Sequence, residues 1–178
     1  MKRTQKLLRE ANQLAIDGQY KKAWPLLIEA HELGDVEATY AVGTWYLFGR
    51  SVRQDLKKGV ALLAQAAKKG HGFAAYDYAV SLEAGKGVRK DAKAALSWYQ
   101  KAARLGEKQS LAEIARCHYW GIGTKKDPKK AVSYFKKSAA SGDKESCQAL
   151  HRLYQKGEGV KQSDRWASYW LLKAQERE

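Results

Sequence analysis

The sequence predicts an all-α fold of antiparallel helix pairs, and three ladders of residues on one period carry that expectation. Glycines fall at 34, 70, 106 and 142, a step of 36 residues. A second set, Gly49, Gly85, Gly121 and Gly157, keeps the step, and so do Asp55, Asp91 and Asp127, with Ser163 at the next place. Self-similarity at such a period marks units that bury their apolar faces against their neighbours. The expected architecture is therefore a right-handed α-solenoid forming one domain over residues 1–178. A short helix pair (3–36) leads four longer repeats at 37–72, 73–108, 109–144 and 145–178, ten helices in all.

Each element has a local cause. The segment MKRTQKLLREANQLA is broken by charge every few residues, unlike a secretory leader. It reads as an amphipathic helix with Leu7, Leu8, Ala11, Leu14 and Ala15 on one side. The second helix of this pair follows a G-x-Y-x-x-A pattern at Gly18, Tyr20 and Ala23, and Pro25 inside it predicts a kink or a late start. In each later repeat a first helix ends at the second glycine of the pair of ladders, as in EATYAVGTWYLFG. The loops GRSVRQD, GKGVRKD, GIGTKKD and GEGVKQS follow. Glycine takes the positive φ that ends a helix, and Asp or Ser then accepts the free N–H groups of the next one. Asp127-Pro128 adds proline at the first helical position, where no N–H is needed. The second helix carries small and aromatic residues on one face, as Ala95, Tyr99, Ala102 and Ala103.

Composition agrees with this reading. Hydrophobic residues make up 44% of the chain, with six Trp and ten Tyr, so a core is affordable and disorder is excluded. No run is long or apolar enough to span a membrane. The formal charge of +14 favours an anionic partner, whether an acidic protein, nucleic acid or a membrane surface. Two cysteines, Cys117 and Cys147, are too few for a disulfide scaffold, and the expected compartment is the cytoplasm.

The residues Val42, Gly43, Tyr46, Gly49, Val52 and Asp55 carry a recognisable pattern. It returns as Gly85, Gly87, Val88, Asp91, Ala95, Trp98, Tyr99, Lys101, Ala102, Ala103 and Gly106. The pattern resembles the Sel-one-like repeat, a longer-looped relative of the tetratricopeptide repeat, over roughly residues 37–176; the first pair is similar to a plain tetratricopeptide unit. The resemblance implies an adaptor or scaffold that binds another protein. Some bacterial members of the family are immunity proteins against secreted toxins. The chain departs from the pattern at Ser51 and Thr124, in place of a loop glycine and valine, and at His118 and His151.

In that superfamily the first helix of each pair lines a concave groove. On the register of Gly43, the inward places are Tyr40, Thr44, Leu47 and Phe48; Tyr76, Val80 and Glu83; Arg116, Tyr119 and Trp120; and Arg152, Gln155 and Lys156. The set begins aromatic and apolar and turns basic, which suits an acidic protein partner; the alternative is that several of these aromatics pack within the stack. A second candidate is Trp166 with Tyr169, three apart on the last helix. With no capping helix after them in this sequence, they either cover the final repeat or form a docking face, leaving the chain a monomer or a dimer through that face. Basic ladders (Arg53, Arg89, Lys125, Lys161 and Lys57, Lys93, Lys129, Arg165) suggest a solvated face, with weak, non-specific nucleic-acid binding as the alternative function.

No catalytic constellation emerges. The G-x-G pairs link helix to helix and lack the strand of a phosphate loop, and His31, His71, His118 and His151 form no triad pattern. Cys147 and His151 share a helix face, but with Cys117 or His118 they reach three ligands at best, so neither a metal nor another cofactor is expected. A disulfide between the two cysteines is conceivable across adjacent helices but unexpected in a reduced chain.

Overall fold

The computed structural model describes residues 2–176; the ends of the expected span, residues 1 and 177–178, lie outside the described residues. It holds ten helices among the described residues: α1 (Lys2–Ile16), α2 (Tyr20–Glu32), α3 (Val36–Phe48), α4 (Leu56–Lys68), α5 (Gly72–Ala84), α6 (Ala92–Arg104), α7 (Gln109–Trp120), α8 (Pro128–Ala140), α9 (Lys144–Lys156) and α10 (Asp164–Gln175). The chain forms two compact units, residues 1–90 and 91–178. In the first, α1 packs on α2, α2 on α3, α3 on α4 and α4 on α5; in the second, α6 packs on α7, α7 on α8, α8 on α9 and α9 on α10.

The first unit is held at its start by an apolar face and an aromatic cluster. Ala11, Ala23, Leu27, Val42 and Trp45 are buried together, with Leu8, Leu14 and Ala15 of α1 against them. Trp24 stacks on Trp45 at 5.6 Å, and Tyr20 and Tyr46 meet these rings edge-on. Each such aromatic pair adds about 1 kcal/mol beyond its buried area. The Nζ of Lys58 lies 4.3 Å from the Tyr46 ring centre and 2.7 Å from its hydroxyl. Pro25 lies inside α2, and that helix opens at Tyr20, so the alternative of a late start is wrong. The reason is local: the N–H groups of Lys22 and Ala23 already bond the Gln19 carbonyl, so the turn is closed before the proline removes a donor.

The expected helix ends are in place. Gly49, Gly85, Gly121 and Gly157 are left-handed, with φ of 67°, 73°, 75° and 70°. Asp55, Asp91, Asp127 and Ser163 accept from the backbone N–H three residues on, opening α4, α6, α8 and α10. A fourth ladder opens the first helices and escaped the sequence reading. Asp35, His71 and Asp143, each one residue after a ladder glycine, cap α3, α5 and α9 by side chain. At the matching place Glu107 accepts from the Gln109 N–H at 3.1 Å.

The loop glycines have a stricter reason. A Cβ on Gly87 would stand 2.4 Å from the Leu56 carbonyl oxygen, on Gly123 2.1 Å from that of Ala92, and on Gly159 2.4 Å from that of Pro128. Each partner is the first residue of the preceding repeat's second helix, 31 positions back. Each loop therefore rests its backbone directly on the start of an earlier helix. Ser51 occupies the same place in the first long repeat and carries a φ of 55°, the sole positive φ on a non-glycine among the described residues.

Gly123→Ala is expected to lower unfolding stability by about 3 kcal/mol, summing left-handed strain and overpacking. Gly142→Ala, with φ 93° and open space around it, should cost only about 1 kcal/mol. Urea denaturation of the two variants checks the difference.

Candidate functional site

In the first unit the expected groove residues divide into tied and exposed ones. The Tyr40 ring stacks on His71 with centroids 4.4 Å apart, and its hydroxyl donates to Asp77 Oδ2 at 3.0 Å. His71 Nδ1 accepts from the Ala74 N–H, so its proton sits on Nε2, 2.9 Å from Glu37 Oε2. Thr44 donates to the Ala41 carbonyl at 2.8 Å. Leu47 lies over Gly59, where a Cβ would approach it to 2.8 Å. Tyr76 and Glu83 are half-buried. Phe48 is 70% exposed and Val80 40%. The Arg50 guanidinium stands 5.8 Å from the Phe48 ring centre.

In the second unit the structure gathers four of the expected residues into one cavity. Tyr119, Trp120, Arg152 and Lys156 line a space of 320 Å³ with Phe135, Ala149, Leu153 and Glu158. Trp120 is 66% exposed, and Tyr119 meets it edge-on at 4.7 Å. The Tyr119 hydroxyl donates to Glu158 Oε2 at 2.5 Å. That bond, with burial and the carboxylate charge behind it, pushes the Tyr119 hydroxyl above its ordinary titration range. Lys126 Nζ lies 5.4 Å from the same ring. Arg116 instead pairs with Glu113 at 2.7 Å and does not line this cavity. Gln155 is exposed on α9 outside it.

Four lining residues were missed. Phe135 comes from a second helix, a class of element the groove register leaves out. Leu153 and Ala149 fall one turn apart on α9, at places the groove register leaves out. Glu158 did leave a signal, being the one acid in the ladder Arg50, Lys86, Ile122, Glu158.

On α10, Trp166 and Tyr169 are 48% and 42% exposed and meet edge-on at 5.4 Å. Trp166 also stacks on Tyr154 at 6.2 Å, which ties it back to α9. Leu172, three residues further along the helix, is exposed beside them.

The profile of the Sel1 repeat matches residues 36–71, 72–107, 108–143 and 149–176. The chain belongs to the Sel1 repeat family. Among solved structures it is similar to a Sel1 repeat protein from Oxalobacter formigenes, at 30% identity and a TM-score of 0.83, covering 87% of this chain and 64% of that one. It is also similar to c5321, a protective antigen of uropathogenic Escherichia coli displaying an SLR fold (26% identity, TM-score 0.87, 97% of this chain and 40% of that one). The chain thus spans less than two thirds of the length of either. The immunity protein Pa5087 of Pseudomonas aeruginosa shares the fold at 20% identity and a TM-score of 0.56, over 96% of this chain and 64% of that one. No curated protein matches the sequence. A row of Sel1 repeats suggests a protein–protein interaction scaffold, and no helix among the described residues is long and apolar enough to cross a membrane.

The remaining reactive groups serve the Sel1 repeats from inside. Cys117 and Cys147 are buried thiols, and burial raises the Cys147 thiol above its usual range. His151 Nδ1 lies 2.9 Å from the Ala167 carbonyl. His118 is buried against Tyr134, with ring centroids 5.8 Å apart, and its Nδ1 has no hydrogen-bond partner among the described residues. Burial, then Lys130, lowers its pKa against the opposing pull of Asp127.

The folded chain holds His118 neutral to lower pH than the unfolded chain does. The unfolded state therefore binds the proton first as pH falls. Stability is full above the ordinary imidazole range near 6.5 and is lost as pH drops through it. His31, lowered mainly by burial as well, acts in the same direction. His118→Leu, the residue Leu82 supplies one repeat earlier, is expected to raise stability at pH 7 by about 1 kcal/mol by removing an orphaned polar atom. It should also flatten the loss between pH 7 and 5, as read from denaturant midpoints across that range.

Proposed function

We propose that this chain is a scaffold that holds an acidic protein partner against the exposed aromatic and basic residues of its first helices. One observation carries the reading. Phe48 and Trp120, at the same place in two repeats, both stand in solvent at the last turn of a first helix, beside cations. A large aromatic kept exposed has no role in its own repeat's core, and aromatics with arginine are the residues that dominate binding energy. Arg50 attends Phe48, and Arg152 and Lys156 attend Trp120.

The basic ladders support a second, weaker reading as a nucleic-acid surface. Arg53, Lys57, Lys93, Lys125, Lys129, Lys161 and Arg165 are all exposed. They lie on loops and second helices rather than on the first helices, so substitutions separate the two readings. An immunity protein neutralising an acidic toxin is a special case of the first.

The Phe48→Ala, Trp120→Ala double variant should keep its unfolding stability within about 1 kcal/mol, since both rings are exposed. Its capture of a protein partner from nuclease-treated lysate should fall at least about 30-fold. Unchanged capture overturns the reading. Binding that disappears with nuclease and declines steeply with salt assigns the charge to nucleic acid instead.

A further inference from the structure

The third and fourth long repeats carry the same arginine in two different electrostatic settings. Arg116 is neutralised inside its own repeat by Glu113, three residues upstream on α7. Arg152 holds the identical place on α9, but the residue three upstream is Ala149. The second long repeat has Asp77 there, which takes the Tyr40 hydroxyl. Ala149 removes the carboxylate, and its methyl group forms part of the wall of the 320 Å³ cavity. Among the described residues Arg152 and Lys156 lie within ion-pair distance of no carboxylate. Glu158 also lines the cavity, but its Oε2 is held by Tyr119.

Alanine at this place leaves two complementary features: a space with aromatic and aliphatic walls in Trp120, Phe135 and Leu153, and two unpaired cations on its α9 side. The space lies at the small end of ligand sites, fitting one large side chain. Aromatic walls favour an aromatic guest through edge and offset ring contacts. The cations call for carboxylates next to that guest, and the guanidinium fork matches a carboxylate in two-point geometry.

We infer that this cavity is the anchor site for a protein segment in which an aromatic residue is flanked by Asp or Glu, the incoming carboxylate replacing the one that Ala149 lacks. The inference rests on the scaffold reading and specifies where and what such a scaffold grips.

The probes are fluorescein-labelled peptides capped at both ends: Gly-Asp-Glu-Phe-Asp-Glu-Gly, the same peptide with Ala for Phe, and the same with Lys for every acid. Fluorescence anisotropy at moderate salt should show saturable binding of the first, at least about tenfold weaker binding of the second, and none of the third. Ala149→Glu, which places there the acid that Glu113 supplies in the preceding repeat, should weaken the first peptide at least about tenfold while the melting temperature stays within a few degrees. Arg152→Ala should do the same. Equal binding of the lysine peptide, no binding of any peptide, or unimpaired binding by a folded Ala149→Glu protein overturns the assignment. Failure here is distinguishable from failure of the scaffold reading. Partner capture lost in Phe48→Ala, Trp120→Ala but intact in Ala149→Glu removes the anchor and keeps the scaffold, whereas capture intact in both removes the scaffold.

Discussion

The carbonyl oxygens of Leu56, Ala92 and Pro128 lie so close beneath Gly87, Gly123 and Gly159 that a single added carbon would collide with backbone. This contact fixes how a loop sits on the helix pair before it. Backbone on backbone leaves no side chain to adjust, so the distance between successive repeats is set there and the packing of helices follows. Small residues make the remaining close approaches: Ala74, Ala75, Ala79, Ala95 and Ala102 are buried, and Gly43 and Gly59 bring α3 onto α4. A stack of this kind gains stability from nearest neighbours rather than from one central core. That is why the same few positions recur so strictly.

Once the spacing is set by glycine and alanine, the ends of the first helices are free to vary. The last residue before each capping glycine is Phe48, Ala84, Trp120 or Lys156, and the three large ones are exposed. Three residues upstream of the arginine position, Glu113 and Ala149 alternate between closing a charge and leaving it open. Such differences cost the fold little, because they sit at the margin of packing. They carry the chemistry that distinguishes one repeat from another. Fold and recognition are thus written in separate positions of one repeat.

Between helix pairs, polar groups act as ties. Tyr40 reaches Asp77 and Tyr119 reaches Glu158, each bond crossing from one repeat to the next. These tyrosines were read from sequence as groove residues, and their rings do lie on first helices, but their hydroxyls are committed to neighbouring repeats. A tyrosine on a helix face announces an aromatic ring; the carboxylate that its hydroxyl meets lies 37 or 39 residues away and has no local sequence signature.

The sequence by itself determined the helices, their ends and their period, because caps, left-handed glycines and apolar spacing act within one turn of the chain. It also determined which first-helix places vary. Only the tertiary structure decided that Phe135 and Leu153 close a cavity with Trp120, that Arg152 is left without the partner Arg116 has, and that Tyr119 is held by Glu158. These facts depend on distances between residues on different helices. Periodicity orders those residues along the chain, while the packing of one helix on another sets how near their side chains come.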